Sequence, residues 1–323
     1  SYYINSFGFF TLIYKIYTKI EKMNKKEKFV NDNLIQKIKS IYTILNIFEY
    51  LHQKNKLQIV KINKELQRNL DLTIHNYKDY SEKFSSIEII VIPTKKRIDK
   101  SIFINYEDIN NKYYHIYFNN INKEVKRNYI DKIEDIFKIK IIRDSAINRL
   151  NNLFENCKEI ESIYFTKFIR NNIINMRGMF SGCSKLKTIK FFQINTINVT
   201  SMDFMFCKCP LLKELDLSEF DTHNVEGMNS MFFCCSSLEK LDISNFNINK
   251  VDSMIGMFFK CSSLKELKIK NFNTQNATTQ SMIDFCPVEI VNKIKHQNPK
   301  IRVFKTKEEK EKENMDENFC LIY

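Results

Sequence analysis

The stretch VEGMNSMFFCCSSLEKLDISNFN, residues 225–247, decides the fold. Its first half carries apolar residues at Val225, Met228, Met231/Phe232 and Cys235. That spacing of three to four predicts a short helix facing inward. The second half, like LKELDLSEF with Leu215 and Leu217 one unit earlier, alternates apolar and polar residues, the period of a half-buried strand. The doublet Cys234-Cys235 admits four meanings: a metal site, a redox pair, a disulfide or core packing.

The surrounding chain repeats this unit. Cysteines stand at 157, 183, 209, 235, 261 and 286, at intervals of 26, 26, 26, 26 and 25. Met176, Met202, Met228 and Met254 keep the same register, and Phe180, Phe206, Phe232 and Phe258 follow them by four. Leu186, Leu212, Leu238 and Leu264 come three after each cysteine, and Phe168, Ile194, Phe220, Phe246 and Phe272 close each unit. A fixed period of this length means stacked coils that bury one another's apolar face, because no single coil can bury its own. The expected fold class is an α/β solenoid with a parallel sheet on one face. Divergent coils beginning near Ala146 and ending near Phe304 serve as caps.

The unit V-x-x-M-x-x-M-F-x-x-C-s-s-L-k-x-L-d-i-S-x-F-n-T, written here as NVTSMDFMFCKCPLLKELDLSEFDT and KVDSMIGMFFKCSSLKELKIKNFNT, closely resembles the BspA-like leucine-rich-repeat family. The resemblance covers residues 146–303, about half the chain. It implies a right-handed leucine-rich-repeat coil and a binding or adhesion role without catalysis. Many members carry a signal or wall anchor, and neither is visible here.

Before the repeats, residues 23–85 have the 3.6-residue apolar period of helices. Ile47, Phe48, Tyr50, Leu51, Leu57 and Val60 resemble an F-box, without its Leu-Pro start or its Trp; the alternative is an ordinary helical hairpin. The F-box likeness implies a ubiquitin-ligase component as partner. Residues 86–145 form a β-rich connector and cap, with strands in IEIIVIP, YYHIYFNN and KIKIIRD and a turn at Asn119–Asn122. Residues 1–22 are read as a leader outside the native chain, with Met23 as its start. Residues 304–323 are a charged tail. It ends in Cys320-Leu321-Ile322-Tyr323, the form of a prenylation signal though with an unusual last residue, or else an accidental apolar end. A single prenyl chain on Cys320 gives only weak membrane association.

Charge argues against nucleic acid. Residues 1–150 carry 28 basic and 17 acidic side chains, a net +11 of the chain's +13. The repeats lack the basic stripe that a nucleic-acid surface needs. Enzyme readings also fail: His52, His75, His115, His223 and His296 are scattered, and five glycines write neither a phosphate-binding loop nor a dinucleotide fingerprint. No cofactor or metal is expected. Cys157, Cys183, Cys209, Cys235, Cys261 and Cys286 are read as a structural core column. Cys207 and Cys234 occupy variable positions beside it.

The expected function is a non-enzymatic, intracellular scaffold or adaptor that binds a protein partner on the strand face; the alternative is a surface or membrane-associated adhesion protein. Outward alternates Tyr164, Lys190, Asp216, Asp242 and Lys268 form the candidate binding row, with Phe192 as an apolar anchor. Lys190 and Asp216, and Asp242 and Lys268, are expected to pair across neighbouring strands.

Overall fold

Repetition at 26 residues becomes strand and bridge pairing at 26 residues. In a computed structural model that describes residues 85–95, 99–105, 113–143, 148–270 and 272–312, each repeat lies in parallel beside the next. Single parallel bridges run Arg149–Asn175–Ser201–Gly227–Ser253–Thr278, one residue per unit. All described residues belong to one compact unit, Ser81–Tyr323. The leader (1–22), nearly all of the helical segment (23–85) and Cys320 lie outside the described residues.

The segment between bridge and strand is not the expected helix. In an α-helix each N–H returns to the carbonyl four residues back. Here Met176, Gly178, Phe180 and Gly182 instead donate to Ser201, Asp203, Met205 and Cys207 of the next unit, at 2.8–3.0 Å. The intervening Met179, Ser181 and Cys183 close tight turns onto the residue three back. Two residues per unit take left-handed backbone to allow this. One column is Asn152, Gly178, Phe204, Ser230, Gly256 and Ser281; the other is Asn156, Gly182, Lys208, Cys234, Lys260 and Phe285. Positive φ at the third residue of a tight turn reverses the chain without lengthening it. Successive turns place Met228, Phe232 and Cys235 on one side, as a helix would, which is why the apolar spacing alone misreads them.

Identical residues therefore stack. Phe154, Phe180, Phe206, Phe232 and Phe258 form one pile of near-parallel rings, with centroids 5.4–5.8 Å apart. The six column cysteines are fully buried beside them. Thr196 and Thr222 each bond the following unit through both hydroxyl roles: Thr222 Oγ1 donates to the Asn247 carbonyl (3.0 Å) and accepts from the Asn247 N–H (2.7 Å).

The opposite wall carries the strands. β7 (Ile160–Lys167) and β8 (Thr188–Phe191) pair in parallel, and β9 (Glu214–Leu215), β10 (Lys240–Asp242) and β11 (Glu266–Lys268) form a separate parallel sheet. Ahead of them, β1 (Ile87–Pro93), β3 (Tyr114–Phe118), β4 (Glu124–Val125) and β6 (Ile139–Arg143) extend the first sheet antiparallel, in the order β4-β3-β6-β1-β7-β8. β3 and β4 are joined through a turn in which Asn119 has φ 55°. β2 (Ser101–Ile102) pairs with β5 (Tyr129–Ile130). Ile89, Val91, Ile139 and Ile141 thereby continue the core past the first repeat.

At the other end α1 (Val288–Gln297) lays Ile290, Val291 and Ile294 on the last unit. Asn298 then supplies from its side chain what a further unit's backbone would: its Oδ1 accepts from the N–H and hydroxyl of Thr274, and its Nδ2 donates to the Phe272 carbonyl. The short α2 (Lys307–Lys312) follows in the charged tail.

Candidate functional site

The strand face exposes one side chain in two, and each row comes from one repeat position. Lys190, Asp216, Asp242 and Lys268 are exposed along a single row, and Tyr164, which pairs with Lys190, is half-buried at its start. Phe192 is 61% exposed at the end of β8, large for an aromatic ring of a tightly packed chain.

The row is not continuous. β8 and β9 share no backbone hydrogen bond among the described residues, so the first sheet ends at β8 and the second begins at β9. An open groove of about 1010 Å³ runs across β8, β9, β10 and β11. Ile189, Phe191, Leu211 and Leu215 give it an apolar floor, and Lys190, Lys213, Asp216 and Lys240 stand around it. The expected Lys190–Asp216 pair does not form across this break. Asp242 and Lys268, on paired strands, do meet, at 3.4 Å.

Two residues of the row also have a local task. The Asp216 carboxylate accepts from the Ser218 N–H (3.0 Å), and Asp242 accepts from both the N–H and hydroxyl of Ser244 (3.1 and 2.7 Å). Hydrogen bonds from Ser218 hold Asp216 below the usual carboxylate range, against burial and the like charge of Asp242. Those from Ser244, helped by Lys268, do the same for Asp242. The signal for this was present as Asp-x-Ser, at 216–218 and 242–244, and is missing at Lys190-Phe191-Phe192. There the chain bends differently, with Gln193 left-handed, and Phe191 packs edge-on against Phe220 at 5.0 Å.

The column cysteines explain their own spacing. The thiols of Cys183, Cys209, Cys235, Cys261 and Cys286 donate to the carbonyls of Phe154, Phe180, Phe206, Phe232 and Phe258 in the preceding unit, at 2.9–3.1 Å. Burial pushes these thiols well above their ordinary range, and Cys286 reaches about 12. They are proton donors, not nucleophiles. None of the eight described cysteines is in a disulfide. Among the described residues no group of three or more His, Cys, Asp or Glu is arranged to hold a metal, and no helix is long and apolar enough to cross a membrane.

One known family shares this repeat. Its sequence pattern, described as "Mycoplasma protein of unknown function, DUF285", matches residues 126–207, 148–241 and 175–293, overlapping stretches that together span just over half the chain. The chain belongs to the DUF285 family. That membership is compatible with the BspA-like repeat resemblance. The DUF285 matches begin within the antiparallel cap and end within α1, so they take in every paired unit described above. No curated protein and no solved structure matches the chain.

Proposed function

We propose that this DUF285 protein is a non-enzymatic interaction scaffold, a leucine-rich-repeat solenoid that binds a protein partner on its strand face. The open groove across β8 to β11 carries the reading: it joins an apolar floor to a rim of both charges, and the Phe192 ring stands exposed just after β8. Apolar anchors within a charged rim are what protein partners recognise.

The residues that meet the partner are Lys190, Phe192 and Lys268, with Tyr164 at the margin. Asp216 and Asp242 contribute charge, but they also hold turns, so replacing them confounds folding with recognition. The test is capture by the full chain against a Lys190→Glu, Phe192→Ala, Lys268→Glu variant with matched thermal unfolding. Loss of the specific partner supports the reading, and equal retention overturns it. Residues 23–85 complete the proposed adaptor as an F-box-like dock for a ubiquitin-ligase component; here the support is the sequence alone. An intracellular location, with weak membrane association through a lipidated Cys320, belongs to the same proposal. Fractionation of Cys320→Ser beside the unaltered chain tests that part.

A further inference from the structure

Cys207 and Cys234 are the two described cysteines outside the 26-residue column. They occupy a small cluster of their own with Phe233, Phe259 and Phe285, separate from the main core, and Phe204 packs against it. They retain 5% and 8% exposure, whereas the column cysteines have none. The column thiols of Cys209 and Cys235 point the other way, onto Phe carbonyls in the core.

The backbone places Cys207 and Cys234 diagonally across the boundary between two successive units. The Lys208 N–H donates to the Phe233 carbonyl at 2.7 Å. Cys207 precedes the donor and Cys234 follows the acceptor, so the two flank one hydrogen bond between successive units. Parallel neighbours lie about 4.8 Å apart and consecutive Cα atoms about 3.8 Å in any trans backbone. The diagonal falls within the Cα separation of about 4.4–6.8 Å that a disulfide spans. Consecutive extended residues would point to opposite faces, but Cys234 is left-handed (φ 58°), and its side chain enters the same cluster as that of Cys207.

We propose that Cys207 and Cys234 are a redox-sensitive pair that a low-molecular-weight disulfide oxidises to a bond joining two successive units. The sulfur of Cys234, the less buried of the two residues, attacks one sulfur of oxidised glutathione as a thiolate, forming a mixed disulfide and expelling one glutathione. The Cys207 sulfur, its proton lost, then attacks Cys234 and expels the second. Two protein thiols are oxidised and one glutathione disulfide is reduced to two thiols, so atoms and electrons balance. The bond closes a loop from 207 to 234 and ties the turns of neighbouring units on a wall away from the strand face, independently of any partner there.

The experiment incubates the full chain with oxidised glutathione, blocks remaining thiols and maps tryptic peptides without reduction. Cleavage after Lys208 separates Cys207 (peptide 191–208) from Cys209 (peptide 209–213), while Cys234 and Cys235 share peptide 214–240. The expected result is peptide 191–208 linked to peptide 214–240 with two hydrogens lost, fragmentation placing the link on Cys234, and a higher Tm for the oxidised chain. In Cys207→Ser the link and the Tm rise disappear and Cys234 carries glutathione. Cys207 and Cys234 remaining as thiols, ending as separate glutathione adducts, or a Tm rise that survives in Cys207→Ser overturns the proposal.

Discussion

The Cys261 thiol donates to the Phe232 carbonyl oxygen at 3.1 Å, and the same oxygen accepts the Cys235 N–H at 3.1 Å. One acceptor thus joins a turn within its own unit to a side chain of the next. Because the column is buried, the oxygen has no water to replace a lost donor. Cys261→Ala removes the donor and leaves a small void, and is expected to cost about 1–2 kcal/mol. Cys261→Ser keeps a donor and is expected to cost less. Urea unfolding of the two variants decides the matter: a serine loss equal to or larger than the alanine loss means that the thiol only fills space.

The raised thiols predict a weakness to alkali. Unfolded cysteines release their protons near pH 9, while the folded column holds them, Cys286 up to about 12. Above pH 9 the folded state therefore binds more protons than the unfolded state, and stability falls as pH rises. Each column thiol contributes at most about 1.4 kcal/mol per pH unit in that window. The thermal midpoint is expected to change little through the column cysteines between pH 7 and 8 and to drop beyond 9. In a chain with Cys207, Cys234 and Cys320 replaced by Ser, thiolate absorbance should rise together with unfolding; column thiolate appearing in that intact fold would contradict this.

The stacking register was legible because Cys, Phe, Met and Leu each keep their own column, and each column meets a different constraint in the fold. The Phe column becomes a ring pile and the Cys column a set of donors. The turn segment was misread because its distinguishing feature is backbone handedness, which these residues conceal. Glycine marks it at Gly178, Gly182 and Gly256, but Phe204, Lys208, Ser230, Cys234 and Lys260 take the same conformation with side chains that give no such hint. The strand face was legible as a row and not as a groove. Alternation says which residues point outward, but not that the sheet is interrupted between β8 and β9.

Left-handed backbone at so many non-glycine positions predicts uneven tolerance down one column. At Gly182, φ is 72°, and a Cβ would sit 2.3 Å from the Asn156 Oδ1 atom. Gly182→Val joins a β-branched residue to that conformation and is expected to cost about 2 kcal/mol or more. Lys208 occupies the equivalent place one unit on, exposed and with φ 56°. Lys208→Gly relieves the strain but frees the unfolded chain, so it is expected to lie within about 1 kcal/mol of the parent. Chemical denaturation midpoints give both values, and a tolerated valine at 182 would refute the shared conformation.

Asp242 and Lys268 form an ion pair on the strand face, and Lys268 also reaches Glu266 at 3.7 Å; Asp242 and Lys268 are nevertheless expected to matter unequally to folding. Lys268 is more than half exposed, and the pair is correspondingly screened, so Lys268→Ala should change stability by less than about 0.5 kcal/mol. Asp242 additionally accepts the N–H and hydroxyl of Ser244, bonds that hold the chain as it leaves β10. Asp242→Ala loses those bonds and is expected to cost about 1 kcal/mol, as losing a helix N-cap does. Since these bonds depress the Asp242 carboxyl, its contribution is present above the unfolded carboxylate range and is lost as pH falls through the lower folded value. The difference between the two variants should therefore narrow on acidification. Equal costs at neutral pH would mean that the ion pair, and not the turn, is what the carboxylate serves.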